Sequence, residues 1–133
     1  TLVMNCVVSN LNLEELPDMV RFAKAIGFAK VREQQQELGD RVRALLAARG
    51  FKSVAAKGFE APGVVVCYTD DAQIKTGAKF AAIGLQIAAG VPLQCDEPAD
   101  FQTFRLGLFG LDKLGNIDRT VNTLEQALDK VLG

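Results

Sequence analysis

The chain of 133 residues contains no histidine. Its absence excludes Ser-His-Asp and Cys-His catalytic sites and the usual metal-ligand sets. Cysteine is also scarce, because only Cys6, Cys67 and Cys95 occur, far apart and odd in number. This spacing indicates neither a disulfide framework nor a zinc site. We expect Cys6 and Cys67 to be buried, reduced thiols because both lie in apolar strand patterns.

An excess of charge of one sign is missing as well. The formal net charge is -1 and charged residues make up 23% of the chain, which gives no broad basic field for nucleic acid. No apolar run approaches the roughly 18 residues of a membrane span, and the start carries no basic, cleavable signal pattern. We therefore expect a cytoplasmic protein without nucleic-acid or membrane partners, folded as one domain over residues 1–133.

Helix and strand patterns alternate along the chain. Strands are predicted at 1–8, 51–56, 63–68, 85–89 and 103–110, and helices at 16–26, 28–50, 71–83 and from 116 onward. The second and third strands form a predicted hairpin. Together these elements predict an α/β (α+β) two-layer sandwich, in which a mixed, largely antiparallel sheet of about five strands carries four helices mainly on one face. The expected order is βα-αββαββα.

The most informative strand, at residues 103–110, carries one arginine among apolar residues. A period of two places Phe104, Leu106 and Leu108 toward a core, and Thr103, Arg105 and Gly107 on the opposite face. The planar, permanently charged guanidinium of Arg105 is suited to binding a carboxylate by two parallel hydrogen bonds, and Gly107 leaves room for a ligand. Arg105 is thus a candidate substrate anchor, with a plain solvated arginine as the alternative.

Five segments in a specific order and spacing resemble one known family. They are Val31–Leu46, Ala61–Val66, Gly84–Pro92, Phe104–Gly107 and Asn116–Arg119. From about Phe28 to Leu132 the sequence is similar to the C-terminal small domain of class V pyridoxal-phosphate-dependent aminotransferases of the alanine-glyoxylate and serine-pyruvate type. In that family the arginine of the Arg-Leu-Gly strand binds the substrate α-carboxylate, so the resemblance implies this role for Arg105.

The resemblance also implies pyridoxal phosphate as the cofactor of the parent family. That cofactor needs a Schiff-base lysine, a carboxylate on its ring nitrogen and a phosphate cradle, and the large domain of the family supplies all three. The lysines of this chain lie in surface, strand-end or loop patterns. The acidic pair Asp70-Asp71 directly precedes a helical run and is expected to begin that helix. We therefore expect no bound cofactor, no metal and no catalytic residue in the isolated chain.

The first 27 residues resemble a different family. The run from Asn12 to Glu15 is similar to a capping box that begins helix 16–26, and Gly27 ends that helix. Together with the strand before it, this βα unit resembles a segment of a radical-SAM-type partial barrel, although it lacks a Cys-x3-Cys-x2-Cys cluster loop. We interpret residues 1–27 as a βα segment of separate origin, joined to an aminotransferase small-domain-like part at 28–133.

Three functional hypotheses follow from this interpretation. The main one is a non-catalytic, engineered chimeric scaffold that retains the ancestral carboxylate arginine, Arg105, and has no enzyme activity as an isolated chain. One alternative is a weak carboxylate-binding module. The other is a fragment of a pyridoxal-phosphate-dependent transaminase that needs a cofactor-bearing partner domain. In an intact enzyme, the sheet face without helices would contact the large domain. In this chain the same uncovered face predicts a homodimer.

Overall fold

The computed structural model describes residues 16–94 and 96–133. Contacts divide the chain into two units, residues 1–34 and 35–133. Helix α1 (Leu16–Ile26) has the predicted bounds, and Gly27, with φ of 85°, ends it in the left-handed region that glycine adopts at little cost. The predicted strand at 1–8, the capping box, Cys6 and Cys95 lie outside the described residues. The single domain and the origin of residues 1–27 stay predictions.

Helix α2 (Phe28–Ala48) follows α1. The remaining elements are, in chain order, β1 (Val64–Tyr68), α3 (Ala72–Lys75), α4 (Ala78–Ala82), β2 (Ala88–Ala89), β3 (Thr103–Gly107), α5 (Leu111–Leu114) and α6 (Ile117–Leu132). The strands form one sheet in the order β1-β3-β2, and both pairings are antiparallel. Strand β3, which carries Arg105, therefore lies in the centre of the sheet, with one strand on each side.

The inner face of the sheet consists of Val65, Cys67, Phe104 and Leu106, whose exposed fractions are 1%, 2%, 0% and 5%. The Phe104 ring contacts Phe80 of α4, with ring centroids 6.3 Å apart. The buried side chains of the helices are Leu38, Val42, Leu46, Ile74, Phe80, Leu114, Leu124, Ala127, Leu128 and Val131. Helices and sheet thus bury one shared core, which confirms the α/β class with two layers.

The strand predicted at residues 51–56 is wrong. In its place the structure has one isolated bridge, between Ser53 and Cys67. The amide of Phe51 is already used at the end of α2, where it donates to the carbonyl of Leu46 at 3.0 Å. At the other end of the segment, the Ser53 hydroxyl donates to the carbonyl of Ala55, and this turn ends the pairing. The described residues therefore form three strands, compared with about five predicted over the whole chain.

The helix predicted at residues 71–83 is two short helices, α3 and α4. Gly77 separates them with φ of 81°, a conformation that interrupts a right-handed helix. The strand predicted at 85–89 is also shorter, because the Leu85 amide donates to the Phe80 carbonyl at the end of α4 and so takes no part in the sheet. With the added turn of α5, the described residues contain six helices instead of four.

Candidate functional site

The outer face of the sheet is the side of Arg105. Arg105 lies in the middle of β3, where it pairs with Val66 of β1 and with Ala88 of β2. Val66 is half-buried and Ala88 is exposed. The Arg105 side chain therefore starts from the middle of the outer face, as the period-two pattern predicted.

The Arg105 side chain bends across the neighbouring strand. Its Nε–H donates a hydrogen bond to the carbonyl oxygen of Ala89, at 3.0 Å. Among the described residues, no acceptor pairs with its two terminal nitrogens, whereas Arg41 and Arg49 form ion pairs with carboxylates of α6. Sequence reasoning missed the Ala89 contact, because only the β2–β3 register brings the two residues together. The contact fixes the direction of the fork and leaves its outer N–H groups for a ligand.

Open space lies beside this arginine. A Cβ atom built on Gly107 would meet no heavy atom within 4 Å, and Gly107 is exposed. The expectation that this glycine leaves room on the Arg105 face is confirmed. The role of Arg105 as a carboxylate anchor stays a prediction at this point.

Thr103, expected on the open face with Arg105, is only 2% exposed. The reason is a close approach between two backbones, since a Cβ atom on Gly90 would lie 1.8 Å from the Thr103 carbonyl oxygen. Phe101, just before the strand, also packs edge-on against Tyr68, with ring centroids 5.6 Å apart. The outer face is therefore covered near Thr103 and open near Arg105 and Gly107.

Within the acidic pair Asp70-Asp71, Asp71 has the helix-starting role that the sequence predicted. Asp71 accepts hydrogen bonds from the amides of Gln73 and Ile74, at 2.7 and 3.2 Å, and so caps α3. It also pairs with Lys79 at 2.6 Å. The Lys79 ammonium and then the Gln73 amide hold the pKa of the Asp71 carboxyl below its usual range. Asp71 is thus ionised and structurally engaged, which leaves it unsuited to proton transfer.

Cys67 is the buried thiol that the sequence predicted. It lies on the inner face, and burial raises its pKa to about 11, although the nearby Arg43 partly opposes the shift. A thiol with so high a pKa carries almost no thiolate at neutral pH, so it is a poor nucleophile. Cys67 therefore belongs to the core.

Two lysines and one helix start that a pyridoxal phosphate site could use already have partners within the chain. Lys79 is engaged by Asp71, and the ammonium of Lys113 donates to the Phe109 carbonyl at 2.9 Å. The start of α6, where a phosphate could bind backbone amides, is capped by the Asn116 side chain, which accepts from the Arg119 amide. The expected absence of a cofactor nevertheless stays a prediction.

Within residues 16–94 and 96–133, no three histidine, cysteine, aspartate or glutamate side chains are grouped so as to hold a metal ion. Over the same residues, no helix combines the length and the apolar character needed to cross a membrane. The predictions on nucleic acid, homodimerisation and cytoplasmic location remain predictions.

Comparison with protein-family models gives no match, and comparison with the curated proteins gives none either. Among solved structures, the chain is similar to ureidoglycine-glyoxylate aminotransferase from Bacillus subtilis, with a TM-score of 0.66 and 20% identity over 85% of this chain and 28% of that chain. It is also similar to an aspartate aminotransferase of subgroup IV from Thermus thermophilus, with a TM-score of 0.50 and 18% identity over 73% of this chain and 26% of that chain. The chain thus has the fold of part of these aminotransferases and spans little more than a quarter of their length.

Proposed function

We propose that this chain is the small-domain part of a pyridoxal-phosphate-dependent aminotransferase and that Arg105 binds the carboxylate of the substrate. The observation that carries the proposal is the position of Arg105 at the centre of the open face of β3, with one N–H on Ala89 and open space at Gly107. A fork held at one end and free at the other can form two parallel hydrogen bonds with a carboxylate without first reorganising.

The composition of the outer face also favours contact with a further domain. The apolar or small side chains of this face lie along β1 and on β2: Val64 and Val66 are half-buried, Tyr68 is 38% exposed, and Ala88 is exposed. The likeness covers 28% of the Bacillus enzyme. In the proposal, a cofactor-bearing domain covers the outer face. Pyridoxal phosphate bound to that other domain would supply the electron-sink chemistry. Arg105 then contributes by binding and orienting the carboxylate of the substrate.

This proposal takes up one of the alternatives from the sequence, the transaminase fragment, in place of the engineered scaffold. The likeness to aminotransferases extends over 85% of the chain, about 113 of its 133 residues, whereas residues 28–133 number 106. It therefore reaches into the segment interpreted as a separate βα unit. Neither the radical-SAM resemblance nor a chimera gains support from this, and the isolated chain is expected to lack transaminase activity.

Titration of the chain with pyruvate, followed by amide chemical shifts, tests the role of Arg105. We expect shifts at Ala88, Ala89 and Gly107, with a Kd in the millimolar range or weaker, because one exposed ion pair contributes only about 1 kcal/mol. Arg105→Ala should abolish these shifts. Arg105→Lys keeps the charge without the planar fork and should restore them only in part.

Two controls make the result specific to the proposed site. Pyruvamide has the carbon skeleton of pyruvate without its charge and should cause no shifts at these positions. Arg32→Ala removes another exposed arginine, on α2, and should leave the titration unchanged. Identical shifts in the parent chain and in Arg105→Ala would show that Arg105 is a solvated surface residue, and the proposal would fail.

A further inference from the structure

A cavity of about 260 Å³ lies in the second unit, at the end of β3 and beside the starts of α5 and α6. Its floor is apolar: Leu106 and Leu108 at the end of β3 are 5% and 4% exposed, and Leu124 of α6 is 7% exposed. Leu85 and Ile87, which precede β2, form a half-buried wall. A pocket with such a lining favours an apolar body over a polar one.

Two cationic side chains line this cavity, Lys113 of α5 and Arg119 in the first turn of α6. Arg119 Nη2 donates to the Asp112 carbonyl at 3.1 Å, which holds the guanidinium at the rim and leaves further N–H groups available. Lys113 Nζ donates to the Phe109 carbonyl and lies 3.7 Å from the Asp112 carboxylate. Asp112 is the one acidic residue among those that line the cavity, so the cations outnumber it.

The other polar side chains of the rim do not compete for these cations. The hydroxyls of Thr120 and Thr123 donate to backbone carbonyls of the α5–α6 region, Thr120 to Lys113 and Thr123 to Arg119. Each hydroxyl therefore has its proton engaged and brings no charge. The rim is thus positive beside an apolar floor, a combination that suits a molecule with one anionic end and one apolar end.

We infer that this cavity binds a small amphipathic organic anion, with its carboxylate at Lys113 and Arg119 and its apolar body on Leu106, Leu108 and Leu124. A cavity of roughly 150 Å³ is known to hold a benzene ring, so about 260 Å³ fits one aromatic ring with a short chain. Arg105 does not line the cavity, but Gly107, two residues further along the same strand, does, so the two sites are neighbours with different cations.

Titration of the full chain with 3-phenylpropanoate, read by amide chemical shifts, tests this inference. We expect saturable shifts at Gln86, Leu106, Leu108 and 120–124, with Gly107 left out because it also borders the Arg105 site. 3-Phenylpropan-1-ol, the same body without charge, should bind more weakly. The double variant Lys113→Gln/Arg119→Gln should weaken binding of the acid by about two- to twentyfold, as two partly exposed ion pairs allow, and should leave binding of the alcohol nearly unchanged.

A second pair of variants tests the cavity itself. Thr123→Phe adds bulk at the lining and should abolish the shifts, whereas Asn122→Phe, its exposed neighbour on α6 outside the lining, should not. Lys130→Gln removes a cation from the same helix outside the cavity and serves as the charge control. Arg105→Ala should leave this binding intact, which separates the site from the proposed function. Equal binding of acid and alcohol, or no saturable shifts at the lining residues, would overturn the inference.

Discussion

The two faces of the central strand differ sharply although they alternate residue by residue. On the inner face Phe104 is fully buried between aromatic neighbours from the segment after α2 and from α4. On the outer face its neighbour Arg105 has one backbone acceptor and open space beside it. The inner face therefore stabilises the fold, and the outer face can carry a ligand-binding group at little cost to stability.

Substitutions at these two neighbours should have opposite consequences. Phe104→Ala removes a fully buried ring and should lower the free energy of unfolding by about 3–5 kcal/mol, a large part of the total for a domain of this size. Arg105→Ala should change it by about 1 kcal/mol or less, because the half-buried side chain makes a single hydrogen bond to the backbone. Urea unfolding followed by circular dichroism measures both. Equal losses would mean that the outer face is also structural.

A second comparison uses two glycines, one where the outer face is covered and one where it is open. Gly90→Ala places a methyl group on the Thr103 carbonyl and should cost about 1–3 kcal/mol through the shift that this forces. Gly107→Ala meets no atom within 4 Å and should be nearly neutral. The same unfolding experiment tests the pair. A neutral Gly90→Ala would contradict the close packing described near Thr103.

The smallest change in stability is expected for Asp71, at the surface of the helix layer that packs on the inner face. Because the pKa of Asp71 is lowered in the folded state, its ion pair with Lys79 stabilises the fold above the ordinary carboxyl pKa, and this stabilisation is lost as pH falls through the folded pKa. Asp71→Asn keeps a capping oxygen but loses the charge. Its melting temperature should be slightly below that of the parent at pH 7 and should match it near about pH 2.

The exposed neighbour Asp70 provides the matched control for this measurement. Asp70→Asn removes the same charge from the same turn and should not reproduce the pH-dependent difference. If the melting temperatures of Asp71→Asn and of the parent differ by the same amount at low pH as at pH 7, the lost interaction does not depend on ionisation of Asp71.

The sequence predicted those parts of the fold that local patterns determine. Helix α6 begins after the predicted cap Asn116, α2 ends at Ala48 just before the predicted terminating residue Gly50, and the inward side of β3 follows from its alternation. The predicted strand at 51–56 was wrong, because hydrogen bonds at the end of α2 and around Ser53 outweigh its strand-like composition. Such competition depends on residues that the local pattern does not include.

The candidate site was predictable to a similar degree. Alternation along the strand placed Arg105 and Gly107 on one face, and both lie there. The burial of Thr103 was not predictable, because it depends on Gly90, thirteen positions earlier, which approaches only after the loop between β2 and β3 has folded back. Long-range contacts of this kind leave no periodic signal.

The most direct test of the account is the reactivity of individual arginines toward phenylglyoxal, measured by peptide mass mapping with and without pyruvate. Arg105, with free terminal nitrogens on the open face, should react much faster than Arg43, whose Nε and Nη1 are buried and whose Nη2 donates to the carbonyls of Ala61 and Val64. Pyruvate should slow the modification of Arg105 and leave that of the exposed Arg32 unchanged. If Arg105 reacts as slowly as Arg43, or if pyruvate gives it no protection, the outer face is not the open carboxylate-binding face described above.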